Sequence, residues 1–328
     1  MPPLPDRPRW GIAATGHIAT RFAVGLRELG SEVVAVASRD QARADAFGDR
    51  FAIPRRHASY EAMAADPGVD VVYVGSPHVR HAADTLLFLA AGKHVLCEKP
   101  FAVNRAEAQG MVDAARATGL FLMDAVWTRC LPAYAVLRDL LGEGRIGDPL
   151  VVDADLGMRV PFDPTHRLYD LAVGGGATLD LGVYPLQLAS LVLGTPDRVT
   201  ATGHIGPTGV DEAFAATLHH PGGAVATVRG AITAPVPSEA RVAGTGGWLK
   251  VARRMHVPPV IEVSAGGPVE RIEVAHEGEG LRFEAAEVER CLAAGLTECP
   301  LMPLDETLGI MSTLDAIRAG IGMRYPGE

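Results

Sequence analysis

The tetrad Cys97-Glu98-Lys99-Pro100 closes an apolar run of the chain. A buried strand seldom ends in a carboxylate beside an ammonium unless that end borders a cleft. Further along, Gly174-Gly175-Gly176-Ala177-Thr178-Leu179-Asp180-Leu181-Gly182-Val183-Tyr184 sets an aspartate and a tyrosine four residues apart in a helical pattern, hence on one face. A tyrosine with a lysine nearby can give or take the proton of a carbinol. The ammonium stabilises a developing alkoxide and lowers the pKa of a neighbouring acid. Taken singly, Glu98–Lys99 reads as a surface ion pair and Tyr184 as a core residue of an amphipathic helix. Together the trio Lys99, Asp180 and Tyr184 is what carbinol-to-ketone redox chemistry needs, and it points to a nicotinamide-dependent oxidoreductase.

Short apolar runs alternating with helical stretches position the first part of this set. Arg9–Ala14, Glu32–Ala37, Val69–Val74, His94–Cys97 and Leu120–Met123 read as strands, with helices over Ile18–Leu29, Gln41–Phe51, His81–Ala91 and Asn104–Thr118. That rhythm predicts an α/β, doubly wound parallel sheet covered on both faces. After about Asp124 it changes. Helices are expected over Leu131–Leu141, Ala177–Leu193, Phe283–Ala294 and Leu304–Ile321. Strands are expected at Leu150–Asp155, Ala213–His219, Ala224–Ile232 and Glu239–Ala243, with Pro221-Gly222-Gly223 as a turn. This predicts an open, mostly antiparallel sheet with helices on one side.

The first strand runs into Gly11-Ile12-Ala13-Ala14-Thr15-Gly16-His17-Ile18-Ala19, a degenerate glycine loop with alanine at its first and third positions. Gly16 marks where backbone must approach a pyrophosphate, and the helix opening there offers unpaired N–H groups to the anion. The second strand ends at Ala37-Ser38-Arg39-Asp40, where a ribose 2′ group is recognised. Arg39 suits a 2′-phosphate or an adenine face, which sets NADP ahead of NAD. The competing reading has Arg39 opening a helix with Asp40 as its N-cap, and Asp40 turned onto the ribose would favour NAD. Val74-Gly75-Ser76-Pro77-His78 ends another strand at the ligand crevice, against ribose or nicotinamide. His78 and His81 are one helical turn apart and read as capping and packing residues ahead of metal ligands.

A net charge of −9 argues against nucleic-acid and anionic-membrane partners, which call for basic surfaces. No apolar run approaches the ~18 residues of a membrane span. The start, Met1–Pro8, lacks the apolar segment of a secretory signal. Four scattered cysteines without a CxxC pair imply no zinc site and read as reduced thiols of a cytoplasmic protein.

Taken in order, GIAATGHIA, AVASRD, the SPHVRH turn, AGKHVLCEKP and GGGATLDLGVY resemble the Gfo/Idh/MocA oxidoreductases (glucose–fructose oxidoreductase, inositol dehydrogenase, rhizopine catabolism) over nearly the whole length. Asp124 to Pro132 is similar to the EAxWTRxxP segment of the dimeric dihydrodiol dehydrogenase and NADP-linked xylose dehydrogenase branch, as is His166-Arg167-Leu168-Tyr169-Asp170. Ala14 and Asp124 depart from the family pattern. The resemblance implies a Rossmann domain over 1–125, then an α+β substrate and oligomerisation domain over 126–328 that makes a homodimer or homotetramer. It implies Lys99 as catalytic lysine with Asp180 and Tyr184 as partners. On the cofactor it implies Thr15, Gly16, His17, Ile18, Ser38, Arg39, Ser76, Pro77, His78, His81, Glu98 and Lys99. Trp127 and Arg129 would line the nicotinamide side, and Arg167 would touch cofactor or substrate. The expected substrate is a sugar, cyclic polyol or trans-dihydrodiol. Alternatives are a nucleotide-sugar ketoreductase and a non-catalytic NADP sensor, which would dispense with the redox trio.

Overall fold

The computed structural model describes residues 7–328, so the segment Met1–Asp6 lies outside the described residues. Two compact units form. One comprises the chain to Ala102 together with Ala106–Cys130 and Glu277–Thr307; the other comprises Val103–Arg105, Leu131–His276 and Leu308–Glu328.

The first unit is built on β1 (Trp10–Ala13), β2 (Val33–Ala37), β3 (Arg55–His57), β4 (Val71–Val74), β5 (His94–Glu98) and β6 (Leu122–Ala125). Between them run α1 (His17–Leu29), α2 (Gln41–Phe51), α3 (Tyr60–Ala64), α4 (His81–Ala90) and α5 (Arg105–Thr118). The sheet order is β3-β2-β1-β4-β5-β6 with every pairing parallel. The runs VVAVA, VVYV and HVLCE are almost wholly buried, as strands covered on both faces must be. The order reverses between β1 and β4, which opens a crevice at their C-terminal ends, the place where such sheets bind nucleotides. Strand β3, three residues of Arg-Arg-His, carries no apolar signal and is absent from the sequence expectation.

The second unit contains α6 (Pro132–Gly142), β7 (Pro149–Gly157), α7 (Ala177–Asp180), α8 (Val183–Leu193) and β8 (Arg198–Ile205). After them come β9 (Asp211–His219), β10 (Val225–Ala231), β11 (Ala240–Gly244), β12 (Gly247–Val251), β13 (Val260–Ser264) and β14 (Glu270–Glu273). The eight strands order as β14-β13-β12-β11-β7-β10-β9-β8, and only β7–β10 is parallel. Helix α8 packs on β7 and β10, while the opposite face leaves Thr227 and Arg229 of β10 exposed. Two helices finish the chain, α9 (Leu281–Ala293) packing on α1 in the first unit and α10 (Leu304–Ile321), most of it in the second.

Helix Ala177–Leu193, expected as one element, is two. It breaks after Asp180 and bends by 45° before Val183. Pro185 has no N–H for the carbonyl of Leu181, and at Gly182 the Phe214 ring sits where a side chain would go. Asp180 and Tyr184 therefore do not share one helical face. The cysteines are less scattered than their numbering. Cys291 and Cys299 both donate to Glu287 Oε1, at 3.6 and 3.5 Å, and Arg290 holds that carboxylate. Among the described residues no single helix is long and apolar enough to cross a membrane.

Candidate active site

In the first unit the glycine loop leads from β1 into α1. Gly16 and His17 are exposed at the helix start, Gly16 has no side-chain capping bond, and a Cβ placed on it would meet nothing within 4 Å. Open space before an uncapped helix N-terminus suits a pyrophosphate. Thr15 and Ile18 flank it, half-buried. Ala14 holds φ at 119°, a region alanine enters only under strain. Ala14→Gly is therefore expected to stabilise the protein by roughly 1 kcal/mol, against the ~0.5–1 kcal/mol of extra unfolded-state entropy that glycine brings. Urea unfolding of the two proteins checks this.

At the β2 tip, Asp40 Oδ1 accepts from the backbone of Ala42 at 2.9 Å and Arg43 at 3.4 Å, so Asp40 caps α2. Ser38 is buried beside it and Arg39 is exposed. At the β4 tip, Ser76 is buried with its Oγ lacking a hydrogen-bond partner, Pro77 is exposed and His78 half-buried. A buried hydroxyl without a partner beside the crevice fits a polar group of a dinucleotide.

Two residues expected to touch cofactor face inward instead. His81 is wholly buried, with Nδ1 2.8 Å from the Pro100 carbonyl and Nε2 2.8 Å from that of Ser76. It ties the Ser76 turn to the residue after Lys99, and burial, opposed by the two carbonyls, lowers its pKa. Arg129 is 1% exposed; its Nη2 donates to Glu306 at 2.5 Å and its Nη1 to the Leu301 carbonyl at 3.1 Å. Trp127 is buried under the Arg21 guanidinium, 5.5 Å from the ring centroid, and Arg21 in turn grips Glu279 through two hydrogen bonds.

Glu98 is a buried carboxylate. Its Oε1 accepts from Tyr73 Oη at 2.6 Å and its Oε2 from the Lys99 backbone at 3.0 Å. Tyr73 is wholly buried and stacks on Phe22, so the phenol is fixed from behind. The Lys99 side chain is half-buried at the strand end.

In the second unit the triple glycine brings a loop onto a helix start. Gly175 lies against the carbonyls of Arg167, Leu168 and Asp170. Gly176, at φ 120°, leaves no room for a Cβ beside Asp211. Asp211 accepts the backbone N–H and the hydroxyl of Thr178, each at 2.6 Å, capping α7; burial raises its pKa to about 6. The loop so placed lets Arg167 fork onto Asp180, at 2.9 and 3.3 Å. Sequence reasoning named both residues and missed that they pair. Tyr184, 8% exposed, lies tilted against His256 with centroids 5.4 Å apart. His256 was missed because it sits in an irregular loop with no motif around it.

Reasoning from motifs also missed Glu284. It stands with Leu281, Ala285, Val288, Cys291 and Leu292 on the buried stripe of α9. A glutamate at an apolar position of a 3.6-residue repeat was the available signal.

A parallel sheet with an uncapped glycine turn after its first strand, together with a lysine at a strand tip, fits a nucleotide-dependent oxidoreductase. Comparison with known proteins makes the assignment particular. Residues 9–125 match the oxidoreductase family described as having an NAD-binding Rossmann fold, and residues 134–250 match the GFO/IDH/MocA C-terminal domain. The chain is 40% identical over 331 residues to the trans-1,2-dihydrobenzene-1,2-diol dehydrogenase of Macaca fascicularis, covering 98% of each, and 38% identical to that of Homo sapiens over the same span. A solved 3-ketoreductase from Actinomadura kijaniata, in complex with NADP and TDP-benzene, is 30% identical and superposes with a TM-score of 0.84 over 96% of this chain and 98% of its own. Levoglucosan dehydrogenase shares the fold, with a TM-score of 0.88 at 20% identity over 96% of this chain and 97% of its own. The chain belongs to the Gfo/Idh/MocA family of NAD(P)-dependent oxidoreductases.

Proposed function

We propose that the protein is an NADP-linked dehydrogenase acting on a secondary hydroxyl of a six-membered ring, a trans-dihydrodiol or a pyranose. The observation that carries this is the full-length similarity to trans-dihydrodiol dehydrogenases. The strand-tip turns at Gly16, at Ser38 and Arg39, and at Ser76 hold the dinucleotide, with the first unit, Glu277–Thr307 included, as its domain and the second unit carrying substrate contacts. NADP leads NAD because Asp40 is engaged as the α2 cap while Arg39 reaches into solvent. The nicotinamide, when bound, accepts or supplies the hydride. Tyr184 exchanges the hydroxyl proton, Lys99 lowers the cost of the phenolate by its positive charge, and Asp180, steadied by Arg167, orients Tyr184 or the substrate. The open face of the second sheet is where a second copy is expected.

The test is absorbance at the reduced-nicotinamide band, with NADP and NAD separately against trans-dihydrodiols, pyranoses and inositols. Arg39→Ala is expected to raise KM for NADP about tenfold and leave that for NAD nearly unchanged, the loss of one charge-assisted phosphate contact being ~1.5 kcal/mol. Equal effects on both would remove the 2′-phosphate role. The similarity to the 3-ketoreductase favours a second reading, a nucleotide-sugar ketoreductase. Turnover confined to a TDP-linked ketosugar would select it.

A further inference from the structure

Three carboxyl groups of the first unit are buried around the β5 tip: Glu98 ending β5, Asp124 on β6 and Glu284 on α9. Strands β5 and β6 pair with Cys97 opposite Asp124 and Glu98 opposite Ala125, so Asp124 leaves the sheet on the face of Cys97 and Glu98 on the other, one register step away, and the two flank the strand tip that carries Lys99. Their hydrogen-bond donors are unequally shared. Glu98 has one on each oxygen, from Tyr73 and the Lys99 backbone. Asp124 Oδ1 has no hydrogen-bond partner, and neither oxygen of Glu284 has one, although Glu284 is wholly buried.

An ionised carboxylate without water or donors costs several kcal/mol, and one proton removes most of that cost. Lone-pair accounting therefore leaves the charge on the group that has donors. Cations face the cluster. Lys99 and Arg21 face Glu98, Lys99 and Arg129 face Asp124, and Arg21 faces Glu284, which Glu279 opposes with a like charge. Both guanidinium groups hold other carboxylates, Arg21 on Glu279 and Arg129 on Glu306. Lys99 is the cation that faces both Glu98 and Asp124.

We propose that Asp124 and Glu284 are positioning residues for Lys99, held as uncharged carboxylic acids in the working enzyme so that Glu98 is the single anion behind it. This rests on the reading of Lys99 as a catalytic residue. A second anion beside it would draw the ammonium inward and offset the positive charge it offers the Tyr184 phenolate. The directions of the acids agree. Burial and repulsion from Glu98 push Asp124 up to about 8, against Lys99 and Arg129; burial, Glu98 and Asp124 push Glu284 well above the carboxylate range. Glu98 is raised by burial too, opposed by the Tyr73 hydroxyl and by Lys99. Tyr73, itself raised by burial and Glu98, and the buried Cys97 thiol stay protonated.

The test is infrared spectroscopy of the full-length protein at neutral pH, followed by pH profiles of kcat/KM. The expected spectrum holds carboxylic-acid carbonyl absorption that shifts in heavy water, one component vanishing in Asp124→Asn and another in Glu284→Gln. Above about pH 8, wild-type turnover is expected to fall as Asp124 ionises, while Asp124→Asn, unable to ionise, keeps about tenfold more activity one pH unit beyond that limb. Absence of carboxylic-acid absorption in the wild type overturns the proposal, and so does an alkaline limb that Asp124→Asn leaves in place. Should Asp124→Asn fail to fold, the wild-type and Glu284→Gln spectra decide. Bands present with a fully active Lys99→Ala variant overturn the positioning role, with the fault at Lys99. Bands absent with an inactive Lys99→Ala variant overturn the cluster alone.

Discussion

Tyr184→Phe is expected to lower kcat by about 10²–10⁴-fold, the usual worth of a positioned acid–base group, with KM for NADP held within about twofold. The phenyl ring keeps the tilted packing on His256, so only the hydroxyl is lost. Lys99→Ala is expected to fall in the same range. On the proposed mechanism the lysine acts through the tyrosine's proton, so the double variant should be little worse than either single one, because residues that act as a unit are not additive. Steady-state kinetics of the three variants with the best substrate of the panel checks this. Near-wild-type turnover in both single variants would remove the assignment, and full additivity would make their roles independent.

Arg129→Met is expected to destabilise the protein by about 3 kcal/mol, because removing one partner of a buried pair strands the other. Arg129 is nearly inaccessible, while the Glu306 side chain keeps 22% of its surface in water. That partial exposure keeps the cost toward the low end of the usual range. Adding Glu306→Gln to Arg129→Met should return part of the loss, since no unpaired carboxylate then remains. Chemical denaturation of the two variants measures both effects. If Arg129 served the cofactor directly, the single variant would weaken NADP binding with its stability intact.

The sequence made the sheet-and-helix frame legible because periodicity is local. Helix α2 and helix α10 begin and end at the expected residues, and the apolar runs of β2, β4 and β5 became buried parallel strands. What was illegible depended on distance along the chain. Arg167 and Asp180 were each singled out, yet their pairing follows from three glycines folding a loop back on a helix start. The family resemblance set Arg129 on the nicotinamide side, and only the packing of Leu301 and Glu306 around it turned it inward. Glu284 sits 186 positions after Glu98 in the numbering, and nothing local announces that the two, both buried, repel each other. The break at Gly182 was written in Pro185, but a helical run of apolar residues outweighed it.

Helix α9 belongs to the first unit yet is specified near the end of the chain. The indole of Trp10, on the first strand, donates to Glu289 at 2.9 Å across a sequence separation of 279 residues. At roughly 5–20 residues per second, a ribosome needs about 15–55 s between making those two residues. During that interval the nucleotide-binding unit exists without the helix that covers α1, its apolar face exposed and its carboxyl cluster short of one member. The nascent chain therefore completes this unit only late in translation, and that interval is the one a chaperone would have to guard.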